Sequence, residues 1–165
     1  MKVDEIMSIC DLINELIDVS YEKKNIMKNI LETVKLERKF IELQNIEAIS
    51  RQNDLKLKYM IEIEKLDMKF YSSYNKLKAN LSIDSIEKIN IEKYPQVKKL
   101  KEVVRDILIL TQEIKIADNQ NILKLKGDKD NSVMKLKYVR QCKNVINAYR
   151  VYNNQVRSVF FDKKK

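Results

Sequence analysis

Hydrophobic residues recur three and four positions apart along most of this chain, which is the spacing of one face of an α-helix. The first such run covers residues 3–44 and predicts one helix about 60 Å long. Polar residues interrupt its apolar face at Ser20 and Lys23. A polar position on such a face indicates water or a polar partner at that level of the core. The apolar members of the face are Ile6, Ile9, Ile13, Leu16, Met27, Ile30, Val34 and Ile41.

A second run predicts a helix over residues 46–80 that packs antiparallel against the first. Asn45 lies between the two runs and is a residue type that commonly caps a helix N-terminus. Three of the ten positions on this second face are polar, and neighbouring frames add Leu55, Tyr59 and Leu66, so the helix should contact two different neighbours. The ten positions are Ile46, Ile49, Asn53, Lys56, Met60, Ile63, Asp67, Phe70, Tyr74 and Leu77.

The remaining part predicts a short helix, a boundary at proline and a further long segment of helix. Ser82 is a favourable N-cap for a short helix within residues 81–94. Pro95 suits the first turn of the helix that follows, because its fixed φ is already helical. The apolar face of that helix is formed by Val97, Leu100, Val104, Ile107, Leu110 or Thr111, Ile114, Asn121 and Leu125.

Residues 95–150 form either one long helix or two. The polar segment 126–131 contains the single glycine and fits a loop or two exposed turns of continuous helix. An apolar stripe then runs from Val133 to Tyr149, and residues 151–165 should be a mobile tail.

Residues that break helices are scarce throughout the chain. It has one glycine and one proline in 165 residues, whereas the two types together usually make up about a tenth of a protein. With 35% charged and 7% aromatic residues, the core should be a thin seam. We therefore expect an all-α fold of at least about 75% helix. It should be a single helical domain, an elongated antiparallel helical hairpin or bundle with coiled-coil packing, made of long helices plus one short helix.

The composition removes most catalytic and metal chemistry. There is no histidine, and Cys10 and Cys142 are the only cysteines, so triads, zinc motifs and Cys-x-x-Cys sites are excluded. No Gly-rich phosphate loop is possible with one glycine. We therefore expect no enzyme, no cofactor and no metal. The chain shows neither a signal peptide nor a membrane span, which favours a cytoplasmic protein.

The net charge of +9 raises the question of nucleic acid, but lysines alternate with acidic residues along most of the chain, as on a solvated helix surface. That arrangement argues against nucleic acid and favours a protein partner. The candidate surface is the late apolar stripe and the aromatic pair behind it, which would either accept a partner helix or close the bundle. The candidate residues are Val139, Cys142, Ile146, Tyr149, Phe160 and Phe161.

Several segments together resemble FlgN-type flagellar export chaperones. Residues 40–49 (FIELQNIEAI) and 58–67 (KYMIEIEKLD) resemble the first half of that family. Residues 117–123 (ADNQNIL) are similar to its Asn-rich middle, and residues 147–149 (NAY) and 158–162 (SVFFD) to its C-terminal part. FliT-type chaperones are the close alternative.

This resemblance implies a cytoplasmic, non-enzymatic chaperone that holds the C-terminal helices of hook-filament junction proteins, also called hook-associated proteins, until export. The client helix would lie in an amphipathic groove formed by the six candidate residues. Two other functions stay open at this point. One is a structural coiled-coil scaffold that forms homodimers, and the other is a small basic bundle that binds nucleic acid.

Overall fold

The computed structural model describes residues 3–127 and 140, and it is all-α. Helix α1 spans Val3–Glu42, α2 spans Ile46–Leu81 and α3 spans Gln96–Gly127, with a single turn of 3-10 helix at Ile86–Lys88 between α2 and α3. Of the described residues, 88% are helical and none lies in a strand. The predicted all-α fold class is therefore confirmed.

A tight turn joins α1 to α2. Gln44 has a left-handed backbone with φ of 52°, and the amides of Gln44 and Asn45 donate to the carbonyls of Ile41 and Phe40 at 3.1 and 3.0 Å. Asn45 then caps α2, since its side-chain oxygen accepts from the Ala48 amide at 3.0 Å. The predicted capping role of Asn45 is confirmed. Because a turn this short leaves no room for a crossover, α1 and α2 are antiparallel neighbours.

Ser82 ends α2 and does not begin a helix. Its backbone is left-handed, with φ of 52° and ψ of 44°, and the amides of Ser82 and Ile83 donate to carbonyls in the last turn of α2. Glycine usually supplies this conformation after a helix, but here a serine adopts it. The predicted N-cap role of Ser82 is therefore wrong. Of the short helix expected within residues 81–94, the structure forms only the turn Ile86–Lys88.

Helix α3 begins at Gln96, one residue after the predicted start at Pro95. The Pro95 carbonyl accepts from the Lys98 amide at 3.1 Å and so belongs to the first turn. Lys126 and Gly127 form the end of α3, and the choice between loop and helix for residues 128–131 lies outside the described residues.

Helix α1 packs against both other helices, and α3 runs parallel to it. Lys24 Nζ lies 2.6 Å from Asp106 Oδ2, and Lys124 Nζ lies 2.5 Å from Glu42 Oε1. Both pairs join residues 82 positions apart. A constant offset means that the two helices advance in the same direction, so α3 follows α1 along its length.

Polar side chains separate two apolar clusters in the core. The small cluster consists of Ile41, Ile49, Ile122 and Leu125, with Phe40 packed against it, at the end of the bundle that holds the α1–α2 turn. The large cluster fills the rest of the bundle and includes most of the predicted apolar faces. Its fully buried members with the largest side chains are Ile13, Leu16, Met27, Ile30, Tyr74, Leu77, Ile86, Tyr94, Leu100 and Ile114.

Candidate functional site

The six predicted partner-binding residues lie outside the described residues. They are Val139, Cys142, Ile146, Tyr149, Phe160 and Phe161. Arg140, inside the same stretch, is described as helical and exposed. The assignment of these six residues to a partner site therefore stays a prediction, and the structure instead describes the bundle from which their segment departs.

That segment departs from the end of the bundle that holds the small apolar cluster. The last two turns of α3 place Ile122 and Leu125 against Ile41 and Ile49. At this end Leu43 and Leu123 are 74% and 67% exposed, and Gly127 has open space where a Cβ would be. Apolar surface is thus available beside the start of the segment that is predicted to bind a partner.

A buried cluster of polar side chains, which we call the polar layer, connects all three helices next to the small cluster. Lys56 Nζ on α2 lies 2.9 Å from Glu37 Oε2 on α1 and 3.0 Å from Asp118 Oδ1 on α3. The Asn121 side-chain amide donates to the Val34 carbonyl at 3.0 Å and to Glu37 Oε2 at 3.3 Å. The polar layer comprises Glu37, Lys56, Asp118 and Asn121, each at most 2% exposed.

Burial dominates the electrostatics of the polar layer. It raises the pKa of the Asp118 carboxyl to about 6, while the nearby Lys56 ammonium opposes the rise and the Glu37 carboxylate adds to it. Asp118 Oδ2 is also buried and has no hydrogen-bond partner within the described part of the chain. Both carboxylates face the same ammonium, and neither is open to solvent. The geometry suits a structural ion cluster rather than acid or base catalysis.

A second polar pair lies in the large cluster, where polar residues interrupt the apolar face of α1. Lys23 on α1 forms an ion pair with Asp67 on α2. Burial lowers the pKa of Lys23 to about 8 and raises the pKa of Asp67, and each partner opposes the shift of the other. Ser20 is satisfied locally, because its hydroxyl donates to the Leu16 carbonyl at 2.7 Å. The predicted polar partner on this face of α1 is therefore present.

Two members of the polar layer, Glu37 and Asp118, were missing from the predicted core faces. Their spacing contains the signal. Glu37 lies midway between Val34 and Ile41 on the face of α1, and Asp118 lies between Ile114 and Asn121 on the face of α3. Both continue the alternation of three and four positions, but charged residues are seldom fully buried.

The described surface offers shallow apolar features and no metal site. A groove of about 510 Å³ between α1 and α2 is lined by Leu36, Leu55 and Tyr59 among polar residues. Across residues 3–127, no group of three or more Cys, Asp or Glu side chains could hold a metal ion. None of the helices within those residues is both long and apolar enough to cross a membrane.

Comparison with known proteins supplies the family. The family model described as FlgN protein matches residues 7–155, which is most of the 165 residues. No curated protein and no solved structure matches the chain. Nothing in these comparisons supports the FliT-type alternative specifically. Because the match covers nearly all of the described bundle and continues beyond it, the chain belongs to the FlgN family of flagellar export chaperones.

Proposed function

We propose that this protein is a cytoplasmic export chaperone that holds the C-terminal helices of hook-associated proteins. The observation that carries the proposal is the extent of the family match. Residues 7–155 include both the three-helix bundle and the later apolar stripe from Val139 to Tyr149. A chaperone family supports a protein client and a non-enzymatic role.

In this proposal the bundle is a rigid scaffold and the segment after Gly127 holds the client. A disordered client segment would fold as an amphipathic helix against an apolar stripe, a mode that helix-binding proteins commonly use. The stripe would be formed by Val139, Cys142, Ile146 and Tyr149, with Phe160 and Phe161 at its end. Leu43 and Leu123, exposed beside the start of this segment, would extend the apolar surface.

The distribution of charge fits a partner that meets the segment rather than the bundle. Residues 3–127 contain 22 lysines and arginines against 21 acidic residues, whereas residues 128–165 contain ten against three. Nearly all of the net positive charge therefore lies in the proposed client-binding segment. A client helix with acidic flanks would be attracted there, although apolar contacts would supply most of the affinity.

The test uses purified hook-associated proteins, full-length and without their C-terminal segments. The triple variant Val139→Ser, Ile146→Ser, Tyr149→Ser should lose binding to the full-length clients and keep its melting temperature, because exposed positions usually change stability by less than about 0.5 kcal/mol. The matched control replaces three exposed apolar residues elsewhere on the bundle, Ile61, Ile109 and Ile116, with serine and should keep binding. A large fall in melting temperature of the first variant would show instead that these residues complete the core, where each truncation costs about 2–5 kcal/mol.

A homodimeric scaffold is the second candidate, and one observation favours it. Ile109, Ile116 and Leu123 are each at least 51% exposed and lie seven residues apart, which is the repeat of a helix–helix seam. Light scattering that gave twice the chain mass of 19.7 kDa, together with failure to bind any hook-associated protein, would favour this function. Nucleic acid would be indicated by affinity that falls by orders of magnitude between about 50 and 200 mM salt.

A further inference from the structure

We infer that the polar layer sets the register of α3 against the α1–α2 hairpin. Each helix contributes at least one of its members: Glu37 from α1, Lys56 from α2, and Asp118 with Asn121 from α3. The layer therefore fixes all three helices at a single level.

The register of α3 needs such a device, whereas that of α1 against α2 does not. The short turn around Gln44 and Asn45 holds the hairpin at one alignment. Helix α3 instead follows the 14 residues from 82 to 95, in which the structure forms only one turn of 3-10 helix. A connection of that length can reach more than one position of α3 along the hairpin if its buried residues Ile86, Ile89 and Tyr94 repack, so chain length alone does not fix the register.

The apolar side chains of α3 do not distinguish between these alignments of the helix. Leu100, Ile107 and Ile114 are buried and lie seven residues apart, as do Val97 and Val104. When α3 slides by seven residues, one aliphatic side chain replaces another at most levels, which is the degeneracy inherent in a heptad repeat.

The polar layer removes that degeneracy. A slide of seven residues in one direction would bring Thr111 to the level of Lys56, and a slide in the other would bring Leu125 there. In both cases Lys56 would lose Asp118 and Glu37 would lose the Asn121 amide, and the Asp118 carboxylate would move to a level without its ammonium. A buried charge that loses its partner is strongly unfavourable, so only one register keeps every charge paired.

Stability alone does not explain why the layer is polar. Well-packed aliphatic residues in place of a buried ion cluster are often neutral or stabilising. Here Asp118 Oδ2 has no hydrogen-bond partner among residues 3–127, which adds to the unfavourable terms. A single polar residue in a helix seam can specify alignment at the expense of stability, and the polar layer has that character.

The register of α3 also determines where the later segment leaves the bundle. A slide of seven residues moves the end of α3 by about 10 Å. If the proposed client-binding role is correct, that shift would separate the client-binding segment from Leu43. This consequence rests on the proposed function, but the inference about register does not.

Chemical cross-linking of the full-length chain tests the register. Cys10→Ser and Cys142→Ser remove the native thiols, and Lys24→Cys is then combined with one cysteine on α3. Asp106→Cys reports the observed register, since Lys24 and Asp106 form an ion pair. Lys99→Cys and Glu113→Cys report slides of seven residues in the two directions. With a short thiol cross-linker, only the 24–106 pair should react efficiently.

Two variants of the polar layer then give opposite expectations. The aliphatic variant carries Glu37→Leu, Lys56→Met, Asp118→Leu and Asn121→Leu. In it the 24–99 and 24–113 pairs, which we call the slipped pairs, should react at least about tenfold more than in the chain with an intact polar layer, while helix content and melting temperature are kept or raised. If the slipped pairs stay unreactive and the 24–106 pair still reacts, the inference is overturned.

The second variant keeps the polar groups and covers the case in which the first fails to fold. It moves the two α3 members of the polar layer seven residues towards the N-terminus of α3. The substitutions are Thr111→Asp, Ile114→Asn, Asp118→Thr and Asn121→Ile. Pairing of the carboxylate introduced at position 111 with Lys56 requires α3 to slide by seven residues, so efficient cross-linking should move from the 24–106 pair to the 24–99 pair. Retention of 24–106 as the main product, or an unfolded chain, would contradict the inference, whatever the result of client binding.

Discussion

Two levels of the bundle, one around Leu100 and one around Asp118, bury their side chains to the same extent. The free energy that each level gains from this burial is very different. Leu100 and Ile114 are 0% exposed in the large apolar cluster, and Asp118 is 1% exposed in the polar layer. Apolar burial contributes about 25 cal/mol for each Å² removed from water, and neighbouring aliphatic residues can substitute for one another. The polar layer gains little net energy but requires each specific partner. We conclude that stability and uniqueness of alignment come from different levels of one core.

The largest effect should follow from removing the shared cation of the polar layer. Lys56→Met leaves the carboxylates of Glu37 and Asp118 buried side by side without their ammonium, so we expect a loss of about 4 kcal/mol in the free energy of unfolding at pH 7.5. The loss should be smaller at pH 5, where Asp118, with its pKa of about 6, becomes protonated. Urea denaturation followed by circular dichroism measures both values.

Lys35→Met is the matched control for this change. Lys35 pairs with Glu32 on the surface of α1, and its side chain is 59% exposed, so its replacement should alter stability by less than about 0.5 kcal/mol. Equal effects of the two substitutions would mean that the polar layer is hydrated and behaves like surface.

The apolar level should respond by a similar amount but without dependence on pH. Leu100→Ala creates a cavity in the large cluster, and such truncations cost about 2–5 kcal/mol. We expect about 3 kcal/mol here, with the same value at pH 5 and pH 7.5 because the polar layer lies at a different level of the core. A loss that changed by more than about 1 kcal/mol between these pH values would remove the distinction between the two levels.

The sequence predicted the helices and their apolar faces because hydrophobic periodicity is a local property. The α1 face from Ile9 to Ile41, the cap at Asn45 and the boundary next to Pro95 all follow from spacing and residue type, and all are present in the structure. The predicted N-cap role of Ser82 is wrong for two reasons. Serine is favourable at helix N-termini, and the left-handed conformation after a helix is normally signalled by a glycine. With no glycine there, the end of α2 had no clear signal.

The polar layer could not be predicted from spacing because it depends on the alignment of three helices. Lys56 and Asn121 lie on predicted faces, but the Lys56–Glu37 pair requires the alignment of α2 against α1, and the Asn121–Glu37 bond requires the alignment of α3 against α1. No local pattern contains either alignment. The partner-binding residues from Val139 to Phe161 stay a prediction for a different reason, since they lie beyond the described bundle.

A moderate effect of opposite sign should follow from neutralising Asp118. The folded pKa of about 6 lies above the ordinary value of 3.8, so the contribution of this carboxyl is fully present below about pH 4 and is lost as the pH rises through 6. Asp118→Asn mimics the protonated form and should stabilise the protein by about 1–2 kcal/mol at pH 7.5, with the gain disappearing near pH 4. Denaturation curves across this range would refute the assignment if the variant were less stable at pH 7.5.

The smallest effect at neutral pH should come from the other buried lysine, Lys23, since its partner Asp67 retains contact with solvent, with 18% of its side chain exposed. Because desolvation of the buried Lys23 ammonium offsets most of its attraction to Asp67, Lys23→Met should change the stability by less than about 1 kcal/mol at pH 7, well below the effect of Lys56→Met. The folded pKa of Lys23, about 8, lies below the ordinary value of 10.5. Its contribution is thus present above about pH 10.5 and is lost as the pH falls through 8. Between pH 7 and 9.5 the wild type should gain about 1–2 kcal/mol over the variant, as measured by urea denaturation at the two pH values. A constant difference would mean that Lys23 stays charged throughout, and the distinction between the two lysines would then rest on the polar layer alone.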